Sequence, residues 1–192
     1  MPSLILGSTS PARKELLKRL RIPFQVIAPE VEEKQLPGES ATDMAMRLAI
    51  AKAQAVAQRI TEGVIIGCDQ VITLNGEIFG KPGDHQHAVE QLTKMSGQQV
   101  ISLTAMCLLN VQTKKLQTTI ERYDVYFRSL SPALIEQYLI ADQPYQCAGS
   151  IKAESLGAVL FERLAGDDPS ALTGLPLIKL VRFLENEGIH VL

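Results

Sequence analysis

The chain has 192 residues, of which 46% are hydrophobic and 21% are charged, a composition that is ordinary for a globular protein. No apolar run is long enough to span a membrane, no basic stripe suited to a long nucleic acid is present, and the three cysteines lack a CxxC spacing. These features predict a cytoplasmic protein that binds neither nucleic acid nor membrane, and the net charge of −2 is compatible with a small anionic ligand.

The first half of the chain alternates short apolar runs with stretches typical of helices. Leu4 to Gly7 is apolar, which predicts a buried strand. Ser10 and Pro11 then form a helix start, because Ser accepts from backbone N–H groups and Pro lacks the N–H that a first turn leaves unpaired. In chain order we expect a strand at 4–7, a helix after Ser10, a strand at 24–28, a loop at 29–39, an Ala-rich helix at 41–59 and a strand at 64–68.

The second half contains longer strands. Asn75-Gly76 is a two-residue turn signal between apolar runs at 71–74 and 77–79, which predicts a hairpin. We then expect a helix at 84–95, an antiparallel pair of strands at 99–111 and 116–128, a helix from Ser131 to about 141, a strand near 158–162 and a helix at 176–187. This order predicts an α/β fold in which a mixed twisted sheet has flanking helices, in two lobes around a cleft.

The loop after the first strand has the features of an anion site. Unpaired N–H groups and the positive end of a helix dipole meet there, and both favour an anion. Ser8, Thr9 and Ser10 add hydroxyl donors, and Arg13 adds a forked cation suited to phosphate. A capped helix with a solvated Arg is the alternative. The P-loop pattern GxxxxGK[ST] is absent.

Two sets of carboxylates are candidates for metal binding or catalysis. Glu30, Glu32 and Glu33 follow the second strand, where they are either ligands for Mg²⁺ or Mn²⁺ or a solvated acidic loop. Asp69 lies between two apolar runs, at the predicted end of a strand, and therefore needs a cation, a metal or hydrogen bonds. A structural Asp that caps the turn is the alternative there.

Lysines complete the candidate set. Lys52 lies in the Ala-rich helix and Lys81 in the turn Gly80-Lys81-Pro82, although either is equally compatible with an exposed surface lysine. Cations for phosphates, carboxylates for a metal and an anion-binding loop are together the groups that phosphoanhydride hydrolysis requires.

The candidate residues and the motifs around them resemble, in their order along the chain, the Maf family of nucleoside triphosphate pyrophosphatases. The resemblance extends over essentially the whole chain. One such motif alone is weak, whereas eight in sequence are specific. The landmarks are Ser8-Thr9-Ser10-Pro11-Ala12-Arg13, Glu30-Val31-Glu32-Glu33, Lys52-Ala53, Gly67-Cys68-Asp69-Gln70, Gly80-Lys81-Pro82, Ser96-Gly97, Ala148-Gly149-Ser150 and Gly174-Leu175-Pro176-Leu177.

The resemblance implies one Maf-like domain (similar to inosine triphosphatase) of two lobes over residues 1–192, with a central nucleotide-binding cleft. It also implies a divalent cation (Mg²⁺, Mn²⁺ or Co²⁺) and cleavage of a nucleoside triphosphate to monophosphate and diphosphate. The oligomeric state stays open, with a homodimer as one arrangement. The implied roles are catalytic base for Asp69, phosphate binding for Ser8, Arg13, Lys52 and Lys81, and metal binding for Glu33 and Asp69, with Glu30 as a further candidate ligand.

The nucleobase preference is implied by two positions. Gln70 and Glu154 resemble the YceF-type branch, which is associated with 7-methyl-GTP, whereas the dTTP and UTP branch usually has Thr and Gln there. A carboxylate at 154 suits a cationic base whose edge donates hydrogen bonds. Ala12 departs from the Trp that this branch often has, so a stacking attraction is missing. A dTTP/UTP pyrophosphatase and a non-catalytic nucleotide-binding regulator of cell division are the alternatives.

Overall fold

The structure, a computed structural model, describes residues 2–192. Within that range we number the strands and the α-helices separately, in chain order. The strands are β1 (Leu4–Gly7), β2 (Phe24–Val26), β3 (Val64–Leu74), β4 (Glu77–Phe79), β5 (Gln99–Asn110), β6 (Leu116–Phe127) and β7 (Phe161–Gly166). The helices are α1 (Pro11–Lys18), α2 (Ala41–Ala57), α3 (His85–Met95), α4 (Pro132–Asp142), α5 (Pro169–Leu172) and α6 (Leu177–Glu185).

The strands form one mixed sheet in the order β2-β1-β3-β5-β6-β7, with β4 paired to β3. β1 is parallel to both β2 and β3, whereas the β3–β4 and β6–β7 pairs are antiparallel. The predicted α/β class, a mixed sheet with flanking helices, is therefore confirmed. None of the helices in residues 2–192 is long and apolar enough to cross a membrane.

The chain divides into two compact units. The first contains the chain up to Asp69 together with Thr104–Glu121 and Asp168–Leu192, and the second contains Gln70–Leu103 and Arg122–Asp167. β3 leaves the first unit at Asp69 and enters the second at Gln70. The predicted nucleotide cleft stays a prediction.

Alternation along β1 and β3 gives the first unit two packed faces, because successive strand residues point to opposite sides of a sheet. Leu6, Ile66 and Cys68 point to one face and join a buried core that includes residues of α1 and α6. Gly67 and Asp69 therefore point to the other face, against α2. The polar Asp69 is thus placed on the helix side of a buried strand.

The backbone of α2 lies unusually close to β3 at Gly67. A Cβ atom there would lie 2.2 Å from the Ala49 carbonyl oxygen and 2.7 Å from the Ala53 nitrogen. The contact is possible because Ala49 and Ala53 present only methyl groups and position 67 presents none. One residue before Ala53, Lys52 is consequently brought beside the strand that carries Asp69.

In the second unit, the predicted hairpin and helices are present. Asn75 and Gly76 both have positive φ angles, 52° and 87°, as the two-residue turn requires. α3 begins after its N-cap Asp84 and α4 after its N-cap Ser131, each of which accepts a bond from a backbone N–H.

Three predicted strands have an end that is wrong by two residues or more. β3 does not end at Cys68 but runs to Leu74, because both polar side chains after Cys68 find partners. The second strand is shorter than 24–28 and ends at Val26. Residues 156–160, which include residues 158–160 of the expected strand at 158–162, form a 3₁₀ turn instead. The Asp142 carboxylate holds this turn by accepting a hydrogen bond from the Leu156 N–H. Strand pairing begins only at Phe161.

We predict that Gly67→Ala destabilises the fold, because the added methyl group overlaps backbone atoms of α2. Unlike a side chain, these atoms cannot adopt another rotamer to relieve the overlap. Overpacking of this kind costs about 1–3 kcal/mol, which a urea unfolding curve measures. Gly80→Ala is the control, since no atom lies within 4 Å of a Cβ at Gly80. Equal unfolding midpoints for the two variants would contradict the close approach.

Candidate active site

The centre of the candidate site is a buried lysine that contacts two carboxylates. Lys52 Nζ lies 2.6 Å from Asp69 Oδ1 and 2.5 Å from Glu33 Oε1. Lys52 and Asp69 are only 4% and 6% exposed, whereas the Glu33 side chain is 37% exposed. Lys52, Asp69 and Glu33, three predicted site residues that are far apart in sequence, are therefore in contact, with both carboxylates on the Lys52 ammonium group.

Burial and the neighbouring cations have opposite effects on the pKa of Asp69. Burial raises the pKa of the Asp69 carboxyl above its ordinary value, and it outweighs the lowering by Lys52 and Arg13. Glu33 adds a smaller raising effect through like-charge repulsion. A carboxylate with a raised pKa that is held by a cation is the usual state of a proton acceptor in an active site.

The loop after β1 gathers the predicted phosphate-binding groups of the first unit. Ser8 is buried, and its hydroxyl oxygen accepts from the Ser10 N–H at 3.2 Å and from Arg13 Nη1 at 3.4 Å. Ser10 caps α1 as predicted, since its Oγ accepts from the Arg13 N–H. Ala12, half-buried in the first turn of α1, lies beside Arg13 in the chain. Ser8 and Arg13 thus lie together at a helix N-terminus, a place that favours anions.

Arg13 is oriented by Gly174, a contact that the sequence alone does not predict. Arg13 Nε donates to the Gly174 carbonyl at 2.8 Å, and the same oxygen accepts from Cys68 Sγ at 2.9 Å. Gly174 has a φ of +103°, and a Cβ there would lie 3.2 Å from Arg13 Nε. The sequence contains the family motif Gly174-Leu175-Pro176-Leu177, but only the fold shows that this motif contacts Arg13.

A second buried carboxylate in this unit has a structural role. Asp168 accepts from the Ser170 N–H and hydroxyl through one oxygen and from the Ile178 N–H through the other. It therefore caps the start of α5 and the first turn of α6, between which Gly174 lies.

The three glutamates after β2 have different partners. Glu33 contacts Lys52, whereas Glu32 pairs with Lys34 at 2.7 Å and Glu30 lies 3.5 Å from Arg59. Of Glu30 and Glu33, the two candidates for metal binding, Glu33 thus shares Lys52 with Asp69.

The loop that carries Glu33 is fastened to α2 by an ion pair. Arg47 donates to both carboxylate oxygens of Glu39 and to the Lys34 carbonyl. The Arg47 hydrogen bond lowers the pKa of Glu39 to about 2. Neither residue stood out in the sequence, because an Arg and a Glu eight positions apart across a helix start give no recognisable pattern.

The carboxylates fit a divalent cation. Among residues 2–192, no group of three or more His, Cys, Asp or Glu side chains is placed to hold a metal. Mg²⁺, however, is usually held by one or two carboxylates together with substrate phosphates and water. Glu33 and Asp69, each of which contacts Lys52 Nζ through one oxygen, are carboxylates of the kind that this smaller donor set requires.

The remaining predicted residues lie in the second unit. Gln70 Nε2 donates to the hydroxyl of the buried Ser102 at 3.0 Å. Lys81 and Glu154 are exposed, and both act electrostatically on the Cys147 thiol, whose pKa is raised chiefly by burial. Lys81 and Glu154 therefore belong to one region of this unit.

Comparisons with known proteins cover the whole chain. The family model described as "Maf-like protein" matches residues 3–187. Proteins named 7-methyl-GTP pyrophosphatase from Methylobacillus flagellatus and Thiobacillus denitrificans are 49% and 50% identical, over 100% of this chain and 100% and 95% of theirs. A protein of the same name from Albidiferax ferrireducens is 51% identical over 98% of this chain and 95% of its own.

We predict that two substitutions move the pKa of Asp69 in opposite directions. Lys52→Met raises it, because the carboxylate loses its nearest cation, and Glu33→Gln lowers it, because a like charge is removed. Carboxyl ¹³C NMR titration of the metal-free protein measures both shifts.

Glu32→Gln is the matched control, since Glu32 pairs with Lys34, and it should leave the Asp69 titration unchanged. Shifts of the same sign for the Lys52 and Glu33 variants would show that the three groups do not interact as described.

Proposed function

This chain belongs to the Maf family, and on that basis we propose that it is a nucleoside triphosphate pyrophosphatase that hydrolyses 7-methyl-GTP to 7-methyl-GMP and diphosphate. Relatives at about half identity over the full length that bear the name 7-methyl-GTP pyrophosphatase support the substrate. The contact of buried Lys52 with Asp69 and Glu33 is the structural observation that carries the chemistry.

In the proposed reaction, Asp69 is the catalytic base. It accepts a proton from the attacking water while the bond between the α- and β-phosphates breaks and diphosphate leaves. Its raised pKa makes it a stronger proton acceptor than a solvated aspartate, and Lys52 keeps the carboxylate charged. Lys52 also offers its ammonium to phosphate oxygens as negative charge shifts toward the leaving group.

Other residues of the first unit bind the triphosphate and the cation. The N-terminus of α1, with Ser8 and Arg13, binds phosphate oxygens through N–H, hydroxyl and guanidinium donors. Glu33 and Asp69 would hold the divalent cation, for which Mg²⁺, Mn²⁺ and Co²⁺ are the candidates. When bound, such a cation polarises phosphate oxygens and lowers the pKa of water.

The second unit provides base recognition in this proposal. Glu154 is a carboxylate suited to the positive charge and the N–H donors of 7-methylguanine, and Gln70 is the other specificity residue. Lys81 is the phosphate-binding residue of this unit. Ala12 offers no aromatic face, so the discrimination rests on Glu154 and Gln70 rather than on stacking.

We further propose that the protein acts on free nucleotides in the cytoplasm and has no nucleic-acid or membrane partner. The net charge of −2 and the scattered lysines and arginines support the absence of a nucleic-acid partner. A homodimer stays a prediction.

We predict that, with Mg²⁺, Mn²⁺ or Co²⁺, 7-methyl-GTP has the highest kcat/KM among 7-methyl-GTP, GTP, dTTP, UTP and CTP. Diphosphate release identifies the product, since a pyrophosphatase forms it in one step. Glu154→Gln should lower the preference for 7-methyl-GTP over GTP roughly 10- to 100-fold, the effect of losing a hydrogen bond to a charged group.

Glu162→Gln, a change of the same chemistry at an exposed strand position of the same unit, is the control and should keep the preference. Stepwise release of orthophosphate would refute the pyrophosphatase activity. A wide preference for dTTP or UTP would refute the choice of base while leaving the activity intact.

A further inference from the structure

A glutamine on α3 joins two family motifs of the second unit. Gln91 Nε2 donates to the Gly80 carbonyl at 3.0 Å, and Gln91 Oε1 accepts from the Ser150 hydroxyl at 2.7 Å. Gly80 belongs to the motif Gly80-Lys81-Pro82, and Ser150 to the motif Ala148-Gly149-Ser150. The two motifs are about 70 residues apart in sequence, so the side chain of Gln91 is a bridge between distant segments.

Chemistry fixes the orientation of the Gln91 amide. The Gly80 carbonyl can only accept a hydrogen bond, so the NH₂ group must face it. The Gln91 oxygen then faces Ser150, whose hydroxyl can donate. Ser150 is fully buried and Gln91 is half-buried, so this hydrogen bond is partly shielded from water.

A backbone hydrogen bond joins the same two motifs. The Gly149 N–H donates to the Gly80 carbonyl at 3.1 Å, so this oxygen accepts two bonds. Gly149 has a φ of +62°, and a Cβ there would lie 2.9 Å from the Ile72 side chain. Only glycine therefore allows the backbone of this segment to lie against β3 and reach Gly80.

The 150–152 segment is anchored independently of Gln91. Tyr138 on α4 donates its hydroxyl to the Ser150 carbonyl at 3.1 Å and accepts from the Lys152 N–H at 3.1 Å. In contrast, Gly80 is exposed, and nothing lies within 4 Å of its Cβ position. The anchored 150–152 segment thus holds the exposed turn at Gly80 in place through the hydrogen bonds of Gln91 and Gly149.

We propose that Gln91 is a positioning residue: by holding the Gly80 carbonyl against the anchored segment at Gly149 and Ser150, it orients Lys81 toward the substrate's phosphates. The inference rests on the proposed function, in which Lys81 binds phosphate. It assigns Gln91 no contact with the substrate.

The test is a double-mutant cycle between Gln91→Met and Lys81→Ala, with kcat/KM measured for 7-methyl-GTP and GTP. Gln91→Met keeps the length of the side chain but removes both hydrogen bonds. We expect it to lower kcat/KM for both nucleotides by the same factor, roughly fivefold to tenfold, because phosphates are common to both. In the Lys81→Ala background the same change should have almost no further effect.

Gln86→Met is the matched control on α3, since the Gln86 amide bonds only to the exposed Glu90 among the contacts described, and it should retain wild-type kinetics. An equal loss from Gln91→Met with and without Lys81 would overturn the inference, because Gln91 would then act on stability alone. No loss at all from Gln91→Met would also overturn it.

The failure of the proposed function is distinguishable from the failure of this inference. Release of orthophosphate by the wild-type protein refutes the function. If the wild type releases diphosphate but Lys81→Ala keeps full kcat/KM, the activity stands, and both the phosphate role of Lys81 and the positioning role of Gln91 are refuted.

Discussion

The contact between Lys52 and the carboxylates of Asp69 and Glu33 is the constraint on which the first unit depends. A lysine and an aspartate that are both almost fully buried are stable only while each is paired, and removal of one partner of such a pair typically costs about 3–5 kcal/mol. The pairing requires α2 to approach β3 closely, which Gly67, Ala49 and Ala53 permit. Burial raises the pKa of Asp69 even though Lys52 lowers it, so Asp69 is a carboxylate with a raised pKa beside a fixed cation, the condition that a proton acceptor needs.

Around this contact, other residues hold the predicted phosphate-binding and metal-binding side chains in place. The Gly174 carbonyl orients Arg13, Asp168 caps the helices on both sides of Gly174, and Arg47 fastens the loop that carries Glu33. Such supports restrict the motion of the side chains that carry charge, which is what positioning of a triphosphate requires. In the second unit, Gln91 has the corresponding relation to the turn of Lys81.

Local chemistry made the Ser10 cap, the Asn75-Gly76 turn and the strand before Gly7 predictable, because each depends on adjacent residues. The continuation of β3 through Asp69 was not predictable, since a polar pair ends a strand unless distant partners satisfy it. The same holds for Gly174 and Gln91, whose roles arise from hydrogen bonds to residues far away in sequence. Sequence thus indicated the charged residues of the candidate site, and the fold was needed to show which of them meet and what orients them.

The most direct test of the account compares kcat/KM for diphosphate release by the wild type, Lys52→Met, Asp69→Asn and the double variant. Since the account treats Lys52 and Asp69 as one unit, each single change should lower kcat/KM strongly. The double variant should then be no more than about threefold worse than Asp69→Asn alone, as expected for residues that act together. A double variant whose loss equals the product of the two single losses would show that the pair acts independently and would contradict the account.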